Sequence, residues 1–159
     1  MDFIEGKGVP PPRTTVADML SAKGSTEVYA IGPQATVYEA IVKMTECQVG
    51  ALVVLDGDRL VGIISERDYT RKVAVVGRSS KETRVEEIMS AKVITIEAQA
   101  SLTRCMHTVS AYSIRHLPVM AGDKVVGVLG IGDLVRAVLA HQIETIQSLN
   151  SFIGTDYPT

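Results

Sequence analysis

Two short runs carry residue types able to hold a polar small molecule. Residues 62–68 read GIISERD and residues 127–133 read GVLGIGD. Both open on glycine and close on aspartate, Gly62 with Asp68 and Gly127 with Asp133. The first run has Ser65 where the second has Gly130. A carboxylate accepts several hydrogen bonds, so an aspartate can hold two adjacent hydroxyls at once. A serine at a helix start sits beside unpaired backbone N–H groups, a setting that suits a phosphate. The plainer reading is a capping box, with Ser65 at the N-cap and Asp68 three residues on. The second run separates the two. If capping were the whole reason, loss of the serine hydroxyl should release the aspartate, yet Asp133 persists beside Gly130, Ile131 and Gly132.

The two runs end two copies of one longer unit. Residues 28–69 superpose on 93–134 with a constant offset and no gap. Val28, Ile31, Gln34, Ala35, Leu52, Val54, Gly57, Asp58, Val61, Gly62 and Asp68 are identical to Val93, Ile96, Gln99, Ala100, Leu117, Val119, Gly122, Asp123, Val126, Gly127 and Asp133. The leading edge repeats as well, VADML from 16 against VEEIM from 85, after a four-residue insertion around KGSTE.

Each copy predicts the same elements. A short strand (VYAI or VITI) leads to a capped helix, with Thr36 and Glu39 as a capping box and Ser101 as the second cap. The helices place Val37, Ala40, Ile41 and Met44, or Leu102, Cys105, Met106 and Val109, on one face to be buried. Two strands follow around a tight turn at Asp56-Gly57 or Gly122-Asp123, and a second helix begins near residue 66 or 131. The expectation is an α/β (α+β) chain of two β-α-β-β-α repeats packed face to face, with small mixed sheets flanked by helices. Its divisions are a tail over 1–15, repeats over 16–80 and 81–137, and a C-terminal helix extension over 138–159. Val135, Val138, Leu139, Ile146, Leu149 and Ile153 make a stripe on that last helix wider than one repeat needs. It is expected to pack on another subunit.

Composition narrows the classes. A hydrophobic content of 46% with only 4% aromatic residues calls for an aliphatic core, as parallel strands under helices provide. The net charge of −2 gives no reason to expect nucleic acid. No apolar run is long enough to span a bilayer. The first fifteen residues lack the basic and apolar regions of a secretion signal, so the expected compartment is the cytoplasm. Cys47 and Cys105 are too few for a disulfide framework, and Cys105 falls on the helix face to be buried. His107, His116 and His141 show no metal-ligand spacing, and no nucleophile, base and orienting group recur together. No metal and no catalysis are expected.

With these pieces assembled, the chain resembles a tandem pair of CBS domains, a family named after cystathionine β-synthase. The resemblance covers residues 16 to about 137. It is carried by VADML and VEEIM, the ALVV and HLPV strands, the DGDRLVGIIS and GDKVVGVLG hairpins, and the G-x-x-S/T-x-x-D run that GIISERD matches in full. It implies regulation through an adenosine-containing ligand (AMP, ADP, ATP, NAD or S-adenosylmethionine) held in clefts between the repeats, with no catalytic cofactor. It also implies a homodimer and a regulated protein partner. By resemblance, Asp68 and Asp133 hold ribose and Ser65 a phosphate. Adenine lies against Tyr29, Ala30 and Ile31, or Thr95 and Ile96. It also touches the start of the next strand, Gly50, Ala51 and Leu52, or Arg115, His116, Leu117 and Pro118.

The sites are expected to be unequal. The first, on Ser65 and Asp68, has phosphates also reached by Arg67, Arg71, Lys72 and the loop Arg78, Ser79, Ser80, Lys81. That loop reads equally as a solvated connector. The second, with Arg115 and His116 in place of Gly50 and Ala51, takes a different ligand or stays weak. The rival reading is an interaction module whose clefts have lost their ligand. Gly130 favours it, and the intact GIISERD opposes it.

Overall fold

The computed structural model describes residues 12–25 and 27–154. The N-terminal residues 1–11, which carried part of the tail and compartment expectations, and residues 155–159 lie outside the described residues.

The first repeat runs β1 (Ala30–Ile31), α2 (Val37–Cys47), β2 (Ala51–Asp56), β3 (Arg59–Ser65) and α3 (Glu66–Tyr69). The second runs β4 (Ile96–Glu97), α5 (Leu102–Tyr112), β5 (His116–Ala121), β6 (Lys124–Gly130) and α6 (Ile131–Gly154). Ahead of each lies a short helix, α1 (Val16–Ala22) and α4 (Val85–Ile88). In each sheet the first strand pairs parallel to the second, which pairs antiparallel to the third. The hairpins even share an irregularity at the same repeat position, Val54/Leu55 and Val119/Met120. These are the two small mixed sheets with flanking helices that the repeat predicts.

Local chemistry explains the boundaries. Thr36 and Glu39 form a reciprocal capping box on α2, and the Ser101 hydroxyl accepts from the Arg104 N–H at the start of α5. Both helices end on a left-handed residue that is not glycine, Gln48 at φ 55° and Ser113 at φ 52°. In both copies the next N–H, of Val49 or Ile114, then bonds back to the helix at Met44 or Val109. The turns close at Gly57-Asp58 and Gly122-Asp123, one residue later in the first repeat than expected, because Asp56 still pairs in the strand.

The leading helices cross over. Val16 and Ala17 donate backbone N–H groups to Ala100 and Ala98, and Val16, Met19 and Leu20 join the apolar core of the second repeat. Val85 and Glu86 do the same to Ala35 and Pro33, and Val85 and Ile88 complete the core of the first. A three-stranded sheet with one helix has too little apolar cover, and each leading helix supplies the missing side.

This explains the glycine that opens both motif runs. A Cβ at Gly62 would stand 2.4 Å from Met89 Sδ, and one at Gly127 would stand 2.7 Å from Leu20 Cδ2. Both glycines make room for the helix that crosses over.

Four expectations change. The first strands shrink to two residues each, since only Ala30–Ile31 and Ile96–Glu97 find partners. Met106 is 38% exposed, at the edge of the α5 face, and Ile41 is half-buried. The run RKVAVVGRSSKETR at 71–84 reads as a polar loop, but it begins within a π-helical turn, Thr70–Ala74, that buries Val73. Val138 packs on the core of its own repeat, while Val135, Leu139, Ile146, Leu149 and Ile153 stay exposed along α6. No helix among the described residues is long and apolar enough to cross a membrane.

Candidate functional site

Strands β2 and β3 bring Gly50 and Ser65 to the same end of the first sheet, with the Glu66 N–H donating to the Gly50 carbonyl at 3.0 Å. Strands β5 and β6 do the same in the second, where the Ile131 N–H reaches the Arg115 carbonyl at 2.9 Å. The two ends meet. His116 Nε2 lies 3.4 Å from where a Cβ on Gly50 would be, so glycine there lets the second repeat's histidine lie against the first repeat's backbone.

Between the two ends lies a cavity of about 270 Å³. One wall is Ile63, Ser65, Glu66, Arg67 and Asp68 with Gly50 and Ser90, and the other is Ser113, Ile114, Arg115 and His116. Six residues singled out from sequence therefore converge: Gly50, Ser65, Arg67, Asp68, Arg115 and His116. Arg115 and His116, assigned by sequence to a second site, face the serine and aspartate of the first. This cavity is lined by the first copy's helix start and the second copy's strand entry.

The capping reading of Ser65 and Asp68 is realised as well. Asp68 Oδ2 accepts from the Ser65 N–H at 2.9 Å and its hydroxyl at 3.0 Å, while the Asp68 N–H donates to Ser65 Oγ at 3.2 Å. Lys72 Nζ stands 3.0 Å from Asp68 Oδ1 and also donates to the Ile88 carbonyl. Three backbone N–H groups of this turn, those of Ser65, Glu66 and Asp68, thus already have partners. The helix start holds fewer unpaired donors than the sequence suggested, while Arg67 and Arg115 at the cavity are exposed.

Asp133 corrects a premise. Its Oδ2 accepts from the Gly130 N–H at 2.7 Å, its Oδ1 from Arg136 at 2.6 Å, and Lys23 Nζ stands 3.2 Å from Oδ2. The carboxylate half of a capping box needs only a backbone N–H, so Asp133 retains a structural role without a serine. Burial works to raise its pKa, but the Gly130 N–H, Lys23 and Arg136 outweigh it and hold the carboxyl below its ordinary value. The His116 imidazole is also shifted downward. Burial, then Lys23 and Arg115, lower its pKa from the ordinary 6.5 against a smaller opposing pull from Asp133.

The other sequence candidates lie away from the cavity. Leu52, Ile96, Leu117 and Pro118 are buried in the sheets. Tyr29 offers its carbonyl to Val53, Ala30 offers its own to Lys43, Ile31 packs against the core, and Ala51 pairs with Ser65 across the hairpin. Thr95 lines a separate hollow by the hairpin tips. Arg71 is exposed on the π-helical turn, and Lys72 is turned to Asp68.

The connector Arg78, Ser79, Ser80, Lys81 packs on neighbouring helices. Arg78 pairs with Glu87 at 2.7 Å, and the Ser79 carbonyl accepts from the Thr83 hydroxyl. The Ser80 carbonyl accepts from the Tyr38 N–H, and Lys81 lies 4.9 Å above the Tyr38 ring. Sequence reasoning missed Ile63, Glu66, Ser90, Ser113 and Ile114. Ser113 and Ile114 directly precede Arg115, and only the left-handed end of α5 turns them into the cleft. Lys23 was missed too, because the run SAK at 21–23 repeats at 90–92 and so does not set it apart.

The family model for the CBS domain matches residues 16–75 and 85–140, and the chain belongs to that family. The mitochondrial CBS domain-containing protein CBSX3 of Arabidopsis thaliana is 40% identical over 152 residues, which is 91% of this chain and 74% of that one. The structure of a putative signal-transduction protein with CBS domains from Burkholderia ambifaria is similar at 48% identity, with a TM-score of 0.77 over 80% of this chain and 95% of that one. The CBS domain pair of protein MJ0100, in complex with 5′-methylthioadenosine and S-adenosyl-L-methionine, is similar at 26% identity, with a TM-score of 0.71 over 81% of this chain and 98% of that one.

Proposed function

We propose that this chain is a non-enzymatic regulatory module that binds an adenosine-containing small molecule, of the AMP, ADP, ATP or NAD class, in the cavity between its repeats. The observation that carries the reading is the convergence of Ser65, Arg67 and Asp68 with Arg115 and His116 around one cavity of about 270 Å³. Two guanidiniums at its mouth suit a phosphate, which Arg binds through paired N–H donors. The ligands held by the MJ0100 pair support the adenosine class. The module acts as a homodimer through the apolar face of α6, where Val135, Leu139, Ile146 and Leu149 are 49–56% exposed, and signals to a separate protein partner.

A second reading has its own observation. Asp68 and Asp133 both carry capping bonds and cations, which a protein without any ligand would need equally. It makes the chain an interaction module.

A thermal-shift panel with AMP, ADP, ATP, NAD and S-adenosylmethionine separates the two, run on the wild type and Arg115→Ala. Arg115 is exposed and outside the core, so its loss should leave the fold intact. A compound at about a hundred times its Kd adds about 2.7 kcal/mol, a rise of roughly 5 to 10 °C for a chain of this size. A shift with one compound that shrinks in Arg115→Ala supports the ligand reading and the site. No shift with any of the five replaces it with the interaction module.

A further inference from the structure

The cavity at Ser65 and Asp68 has a counterpart position in the second repeat, where Lys23 stands against the aspartate at the edge of a hollow of about 390 Å³ between α1 and α6. Ile63 and Asp68 line the first cavity, and their repeat equivalents are Val128 and Asp133. Lys23 Nζ donates to the Val128 carbonyl at 2.6 Å and stands 3.2 Å from Asp133 Oδ2. Its ammonium therefore occupies the carboxylate that a ribose would need. Arg136 holds the other oxygen, and the Asp133 side chain is only 7% exposed. Asp68 pairs with a lysine too, Lys72 at 3.0 Å, but its second oxygen faces only Ser65, whereas both oxygens of Asp133 face cations whose charge a neutral diol cannot replace.

The length of the leading helix explains the difference. In the first repeat the chain leaves α4 at once and Ser90 bonds Ile63 through both backbone groups, at 2.9 and 3.0 Å. Both leading segments read SAK, at 21–23 and 90–92, but α1 runs seven residues where α4 runs four, and four extra residues follow Lys23. The extra turn carries Lys23 to the Val128 carbonyl, so a side chain rather than a backbone bridge meets the strand edge. It also places a cation near His116 and helps keep that imidazole neutral.

We infer that Lys23 is a built-in occupant of the second cleft that restricts the chain to one ligand, held in the first. The inference rests on the adenosine-ligand reading above but fails separately from it. Isothermal titration with AMP, and in parallel with S-adenosylmethionine, compares the wild type with Lys23→Ala and Lys23→Arg. Circular dichroism melts check that each variant is folded. Should Lys23→Ala prove unfolded, Lys23→Gln takes its place, since its shorter neutral side chain leaves Asp133 without the ammonium while the Arg136 pair remains.

The expected result is one bound ligand per wild-type or Lys23→Arg chain and two per Lys23→Ala chain. A wild type that binds neither compound beside a Lys23→Ala chain that binds one keeps the role of Lys23 and overturns the first-cleft reading. One ligand in both proteins, or two already in the wild type, overturns the role of Lys23 and keeps the ligand reading. No binding by any of the proteins overturns both.

Discussion

In the first repeat the Asp68 side chain is 14% exposed at the wall of a cavity, with Lys72 on one oxygen. In the second the Asp133 side chain is 7% exposed, with Lys23 on one oxygen and Arg136 on the other. The same carboxylate at the same repeat position thus meets one cation in one half and is held between two in the other. What differs is the chain that precedes each repeat. The short α4 leaves a backbone bridge from Ser90, whereas the longer α1 delivers a lysine. A duplicated fold can therefore keep its geometry while a longer leading helix changes what one half is free to do.

The comparison can be broken at the carboxylates. Asp133→Asn leaves two cations facing a neutral group in a nearly closed site, so it should cost about 2 kcal/mol in urea denaturation. Asp68→Asn weakens a partly exposed pair with Lys72 and should cost about 0.5–1 kcal/mol. Equal losses would remove the distinction between the singly and the doubly paired carboxylate.

The pH dependence sharpens it further, through the histidine between the halves. His116 has a folded pKa below its unfolded value of 6.5. Its contribution is therefore full above pH 6.5 and is lost as pH falls toward the folded pKa, because the unfolded chain takes up the proton first. The melting temperature should decline from pH 7 to pH 5.5, and the decline should be shallower in His116→Asn. A parallel decline in both proteins would show that other groups carry it.

The smallest effect is expected from making the first repeat resemble the second. Ser65→Gly removes the hydroxyl but leaves the backbone N–H that Asp68 Oδ2 accepts, as at Gly130. It should cost only about 0.3 kcal/mol in the same denaturation assay. A loss several times larger would mean that the hydroxyl, rather than the carboxylate, holds this turn.

Much of this was legible before any coordinates. The constant offset between the copies predicted paired sheets of equal topology, and Thr36 with Glu39 marked a helix start that the structure places at Val37. Those signals are local, because caps, turns and alternating apolar residues act over a few positions. The motif residues were found for the same reason, but their roles were partly misread. The persistence of Asp133 looked like a ligand signal until the Gly130 N–H appeared beside it.

By itself the sequence determined that the chain is a duplicated α/β unit, that two serine- or glycine-led aspartate turns sit at equivalent places, and that the two places differ. Only the tertiary structure decided which residues share a cleft. It set Arg115 and His116 opposite Ser65, sent the connector at 78–81 away to Glu87 and Tyr38, and exchanged the leading helices between the cores. It also brought Lys23 to an aspartate more than a hundred residues away. The physical reason is one of range. Hydrogen bonding and periodicity along the chain specify each element, but which elements meet depends on how two incomplete cores find cover in each other, and no local pattern records that choice.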